Sequence, residues 1–223
     1  MTKKLFGEAI LKFTAGVFLV GALLFLPAGT LEYPGGWLLM GVLFVPMFLA
    51  GIVMMFANPG LLRSRLNAKE TQREQDLVVK LSGLMFLCGF ILAGLDFRFG
   101  WSDLPFGFNC VGAVVFLLAY ALYAEVLREN TWLSRTIEVQ EGQTVVSTGL
   151  YGIVRHPMYA VTLLLFLSMP IVLGSLPALV VFLFYPFIIA KRIKNEEQVL
   201  SRDLPGYRSY LQTVRWRLIP YIW

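Results

Sequence analysis

The sequence predicts an all-α integral membrane protein built from four transmembrane helices and a C-terminal transmembrane helical hairpin. Three observations predict this class. Hydrophobic residues make up 57% of the 223 positions and charged residues only 15%, against about 25% charged in an ordinary soluble domain. Four apolar runs each approach the roughly 20 residues that a membrane crossing needs. A fifth run is too long to cross once.

The first run, Phe6 to Leu26, follows a basic head containing Lys3 and Lys4. That arrangement resembles a signal peptide, but Leu26-Pro27-Ala28-Gly29 is a poor small-residue cleavage site, so the segment reads as a retained first span. The second, third and fourth runs are Trp37 to Ala57, Leu77 to Phe97 and Phe106 to Leu127. Between the second and third, "NPGLLRSRLNAKETQREQD" mixes both signs of charge at helical spacing and reads as an interfacial helix or a solvated linker. After the fourth, Asn130 and Trp132 open a polar excursion, in which Ile137 and Val139, then Val145 and Val146, flank a turn-like Glu141-Gly142. That pattern predicts a short hairpin-like element.

The run from Pro157 to Ala190 would be about 50 Å long as one helix, beyond the hydrocarbon core. Pro170, Gly174, Ser175 and Pro177 supply breakers for a turn, leaving two arms short for full spans, which the sequence allows to be tilted, kinked at Pro186 or partly re-entrant. The turn's backbone groups need partners inside the protein, since lipid offers none. These divisions predict an N-terminal membrane region over residues 1–129 and a C-terminal catalytic region over residues 130–223.

If four spans and a hairpin are assumed, the basic residues fall almost entirely on one side, with Arg98 alone opposite. The positive-inside rule then places both termini in the cytoplasm. The same asymmetry, with attraction to anionic lipid, accounts for the formal net charge of +5, and no motif calls for nucleic acid. Cys88 and Cys110 lie in apolar segments without metal-ligand spacing, and a single histidine excludes a multi-histidine centre. No protein-bound metal is expected.

Two polar clusters bracket the predicted hairpin: "RHPMY", from Arg155 to Tyr159, and "KRIKNEEQVL", from Lys191 to Leu200. Folding the hairpin brings them together at the cytoplasmic face. Pro157 suits a first helical turn, which puts Arg155 and His156 at a helix N-terminus and Tyr159 just inside it. Arg192 and Glu196 share a helical face, with Glu197 beside them. From spacing alone the same residues also suit interfacial anchoring, a helix cap and a simple ion pair. Adjacent carboxylates at a membrane edge fit anchoring less well. Such a cluster could handle a ligand with cationic and anionic groups, with aromatic faces available to a cation such as a sulfonium.

The passages "GQTVVSTGLYGIVRHPMYA", "KRIKNEEQVL" and "LPGYRSYLQTVRWRLIP" resemble the membrane-embedded methyltransferase family that includes isoprenylcysteine carboxyl methyltransferase and phospholipid N-methyltransferases. The resemblance is strongest from about Asn130 to Pro220. It implies S-adenosylmethionine as methyl donor in a pocket open to the cytosol and a lipophilic acceptor arriving from the bilayer. It also implies that Tyr151, Arg155, His156, Pro157, Tyr159 and Glu197 hold the cofactor, and that Arg192 and Glu196 align the acceptor. Leu150 departs from the Pro-Tyr pair that relatives usually carry at Leu150 and Tyr151, which bears on the local turn. On this basis the expected activity is methyl transfer to the carboxylate of a prenylated cysteine-like or other isoprenoid compound. Alternatives are phospholipid amine N-methylation, an NADPH-dependent membrane reductase of similar architecture, and a non-enzymatic scaffold or transporter.

Overall fold

The computed structural model describes residues 3–66, 73–133 and 139–223. Its regular elements among these residues are helical, apart from one isolated bridge between Val154 and Trp216. In order they are α1 (Lys3–Ala28), α2 (Pro34–Ala57), α3 (Pro59–Leu66), α4 (Arg73–Phe99), α5 (Phe106–Glu129), α6 (Pro157–Leu173), α7 (Leu176–Phe182), α8 (Tyr185–Asp203) and α9 (Tyr207–Thr213). Among the described residues, five segments are long and apolar enough to cross a membrane: Leu5–Ala28, Pro34–Ala57, Asp76–Phe99, Phe106–Glu129 and Leu176–Asp203. Phe18, Leu26, Phe56 and Phe187 are 74–76% exposed, a cost that lipid rather than water removes. The protein is an integral membrane protein.

The chain turns back between α6 and α7, where Gly174 adopts a left-handed conformation (φ +70°) and Ser175 caps α7 through the Ala178 amide. The turn's backbone groups find their partners on three other segments. Tyr33 Oη donates to the Leu173 carbonyl at 2.8 Å, and Asn109 Nδ2 donates to that of Val172 at 2.9 Å. The Leu176 amide donates to Ser102 Oγ at 3.1 Å, and Ser102 in turn donates to the buried Asp96 carboxylate. The tip is thereby satisfied without water, as a lipid surrounding requires.

The two arms differ from the expectation of two short ones. The first, α6, has 17 residues, but the second runs 28 residues from Leu176 to Asp203, passing Ala190 into the charged cluster. It can do so because its charges are sorted to faces, while Tyr185, Ile189, Ile193 and Glu197 form the buried stripe. The break falls at Leu183 and Phe184, one turn ahead of the amide that Pro186 lacks.

The loop after α2 begins with α3, whose Leu62 packs with Leu5 and Met55; residues 67–72 lie outside those described. In the polar excursion, Gln143 closes the Glu141-Gly142 turn by donating to the Gln140 carbonyl. No strand pair forms among the described residues, because Val139 and Val145 pack against Leu204, Tyr207, Tyr210 and Val214 of the tail. Ile137 lies outside the described residues.

Candidate functional site

The site begins where the chain enters α6. Pro157 occupies the first turn of α6 and His156 its N-cap. The Arg155 and His156 amides, which no helix can satisfy, donate to the Trp216 and Arg217 carbonyls at 2.8 and 2.9 Å. Ahead of them Gly149–Gly152 forms a single 3-10 turn. The Leu150 amide donates to Glu129 Oε2 at 2.9 Å. A proline there could not make this bond, so the leucine that departs from the expected Pro-Tyr pair has a local reason. Tyr151 is buried, and its carbonyl accepts from Tyr210 Oη at 2.7 Å.

The hairpin brings α8 alongside. Arg192 Nε donates to Tyr159 Oη at 2.9 Å, and the Tyr159 hydroxyl donates to Glu196 Oε2. The Arg192 guanidinium carbon also lies 5.9 Å from the centre of the Tyr159 ring, which stacks on His156. Glu197 is only 7% exposed and faces three basic side chains. Its Oε1 lies 3.1 Å from Arg155 Nε and 3.4 Å from His156 Nε2, while Oε2 accepts from Arg217 Nε at 2.9 Å. The buried carboxylate is therefore compensated on both oxygens, the condition for burying a charge.

A cavity of about 550 Å³ opens beside these groups, within the range of small-molecule sites. Tyr151, Arg155, His156, Tyr159, Arg192 and Glu196 all line it, with Asn130 and Trp132 from the excursion. Pro157 and Glu197 do not; Glu197 stands behind Arg155 and His156 and fixes them. Away from the charges the wall becomes apolar, formed by Val78, Val79, Gly83 and Phe86 of α4, Phe166 of α6 and Ile189 of α8. Sequence reasoning gave no first-rank place to Tyr207 and Tyr210, which also line the cavity. Tyr207 Oη is buried without a hydrogen-bond partner among the described residues. Burial first, then the nearby Glu196 and Glu197 charges, push this phenol well above its usual range, so it keeps its proton.

Residues 110–202 match the family described as the isoprenylcysteine carboxyl methyltransferase (ICMT) family. That stretch, less than half of the chain, is similar to the ICMT family. It starts inside α5 and includes every predicted site residue, from Tyr151 to Glu197, but stops short of Tyr207, Tyr210 and Arg217. A curated relative, the Delta(14)-sterol reductase of Mus musculus, is 29% identical over 91 residues, which are 40% of this chain and 22% of that protein. The match thus spans less than a quarter of the curated relative. The ICMT-family match suggests a membrane methyltransferase, and the tail residues that complete the cavity lie beyond its last matched residue.

Proposed function

We propose that the protein transfers a methyl group from S-adenosylmethionine to a lipophilic acceptor, favouring the carboxylate of a prenylated cysteine-like or other isoprenoid compound. The observation carrying this reading is one cavity with a charged, aromatic end and an apolar end on a lipid-facing helix. The residues present fit the donor: the unpaired, protonated Tyr207 hydroxyl is available to an acceptor atom, and Arg155 and His156 suit an anionic group. Tyr151, Arg155, His156, Pro157, Tyr159 and Glu197 form the cofactor site, with Glu197 acting through Arg155 and His156. When bound, the cofactor supplies a methyl carbon already made electrophilic by its sulfonium, so no nucleophilic side chain is required.

What remains for the protein is alignment and exclusion of water. Arg192 is placed to orient an acceptor carboxylate, which favours an acid over an amine; Glu196 could take the proton that an amine would have to lose. Gly83 is exposed, lines the cavity and would meet nothing within 4 Å if it carried a Cβ, so α4 leaves room there for an acceptor to enter above the deeper aromatic side chains. In this reading residues 1–129 contribute that entrance, residues 130–223 carry the chemistry, and both termini face the cytoplasm.

The test is calorimetric titration of the detergent-purified protein with S-adenosylhomocysteine, in parallel with NADPH. Saturable binding of the nucleoside, weakened in Glu197→Gln, is expected. The sterol reductase similarity supports the rival hydride-transfer reading, so NADPH binding without S-adenosylhomocysteine binding in folded protein would replace methyl transfer with reduction.

A further inference from the structure

The apolar end of the cavity has a definite depth. Tyr159, Thr162 and Phe166 lie at i, i+3 and i+7 on α6, and all three line the cavity, facing Arg192, Ile189 and Tyr185 of the antiparallel α8. Contacts fix the register: Tyr159 meets Arg192, Thr162 Oγ1 lies 3.0 Å from Tyr185 Oη, and the Phe166 and Tyr185 rings are 4.7 Å apart. Seven helical steps from Tyr159 to Phe166 span about 10 Å. At that depth α4 adds Phe86, edge-on to Phe166 at 4.8 Å.

This aromatic layer cannot readily retreat. Phe86 also meets Phe182 edge-on at 5.4 Å, and Phe182 is fully buried and outside the cavity wall. A Cβ on Gly89 would come within 2.3 Å of the Phe182 ring, so that ring is already pressed onto the α4 backbone. Close-packed interiors yield little to a ligand.

We infer that Phe86, Phe166 and Tyr185 form a floor that limits the acceptor's apolar tail to about 10 Å below the Arg192–Tyr159–Glu196 group. Counting the cysteine spacer from the carboxylate, the site then suits an acid bearing a short branched chain of prenyl size and rejects a farnesyl-sized one. The inference rests on the methyltransferase reading, with Arg192 holding the acceptor's carboxylate.

The experiment titrates purified protein, saturated with S-adenosylhomocysteine, with N-acetylcysteine S-alkylated by prenyl, geranyl or farnesyl, each corrected for partition into empty micelles. Affinity should be greatest for prenyl, weaken at geranyl and be about tenfold or more lower at farnesyl, the discrimination that a filled apolar pocket gives. Phe166→Ala and the milder Phe86→Leu should recover farnesyl binding while leaving S-adenosylhomocysteine affinity unchanged. Affinity that rises from prenyl through farnesyl overturns the floor, most directly if Gly83→Leu then removes only the farnesyl gain, since the tail would be leaving sideways. Failure of all three acids to bind also overturns it. In either case retained S-adenosylhomocysteine binding leaves the methyltransferase reading intact, whereas its loss in wild-type protein sinks that reading.

Discussion

The Tyr159 hydroxyl sits between opposite charges, accepting from Arg192 and donating to Glu196. The group is directional: a planar guanidinium held at Nε keeps its remaining N–H groups in a fixed fork, which an ammonium cannot reproduce. Arg192→Lys is expected to lower methyl-transfer turnover by roughly 10²-fold through acceptor misplacement, with S-adenosylhomocysteine affinity unchanged. Steady-state kinetics beside calorimetry would check this, and loss of nucleoside binding would instead make Arg192 part of the cofactor site. Glu196 and Glu197 look alike in sequence, yet one residue of helix turns a side chain by about 100°. Glu197 continues the four-residue spacing of Tyr185, Ile189 and Ile193, so its burial is legible from periodicity. Two of its basic partners, Arg155 and His156, reach it through the hairpin that the sequence predicts, whereas Arg217 comes from the tail and is not legible that way.

At the scale of elements, the hairpin was legible because Gly174 and its neighbouring prolines interrupt an apolar run too long for one crossing. The length of its second arm was hidden because the apolar run stops at Ala190, while the helical Arg192–Glu196 face beyond it turns inward to Tyr159 and continues the same arm. What anchors the tip was also hidden, since Tyr33, Asp96, Ser102 and Asn109 converge there from distant segments. The tight α5–α6 pairing depends on Gly112, where an added Cβ would approach the Val172 amide nitrogen to 2.7 Å. Backbone cannot move aside as a side chain would. Gly112→Ala should therefore destabilise the protein by about 1–3 kcal/mol through overpacking, seen as a lower melting temperature in detergent. Gly107→Ala, on the same helix with nothing within 4 Å of its added methyl, is the control expected to show no such loss.

At the scale of the whole molecule, the last residues of the chain close the site that its middle begins. The carbonyls of Trp216 and Arg217 accept from the Arg155 and His156 amides, and the Arg217 side chain supplies the second oxygen of Glu197 with its partner. The Trp223 carbonyl in turn accepts from the Arg217, Leu218 and Ile219 amides, folding the tail on itself. The tail is thus a brace for the segment entering α6, and its Leu218 and Trp223 also pack into the main apolar core. Deleting residues 215–223 should leave a membrane-inserted protein that no longer binds S-adenosylhomocysteine. Arg217→Met is the sharper test, because it keeps the backbone pairing and removes one charge-assisted bond worth about 1.5–3 kcal/mol, or about tenfold or more in nucleoside affinity. Arg217→Lys should restore part of that affinity by returning the charge to Glu197. Wild-type affinity in Arg217→Met would mean that backbone pairing alone holds Arg155 and His156 in place.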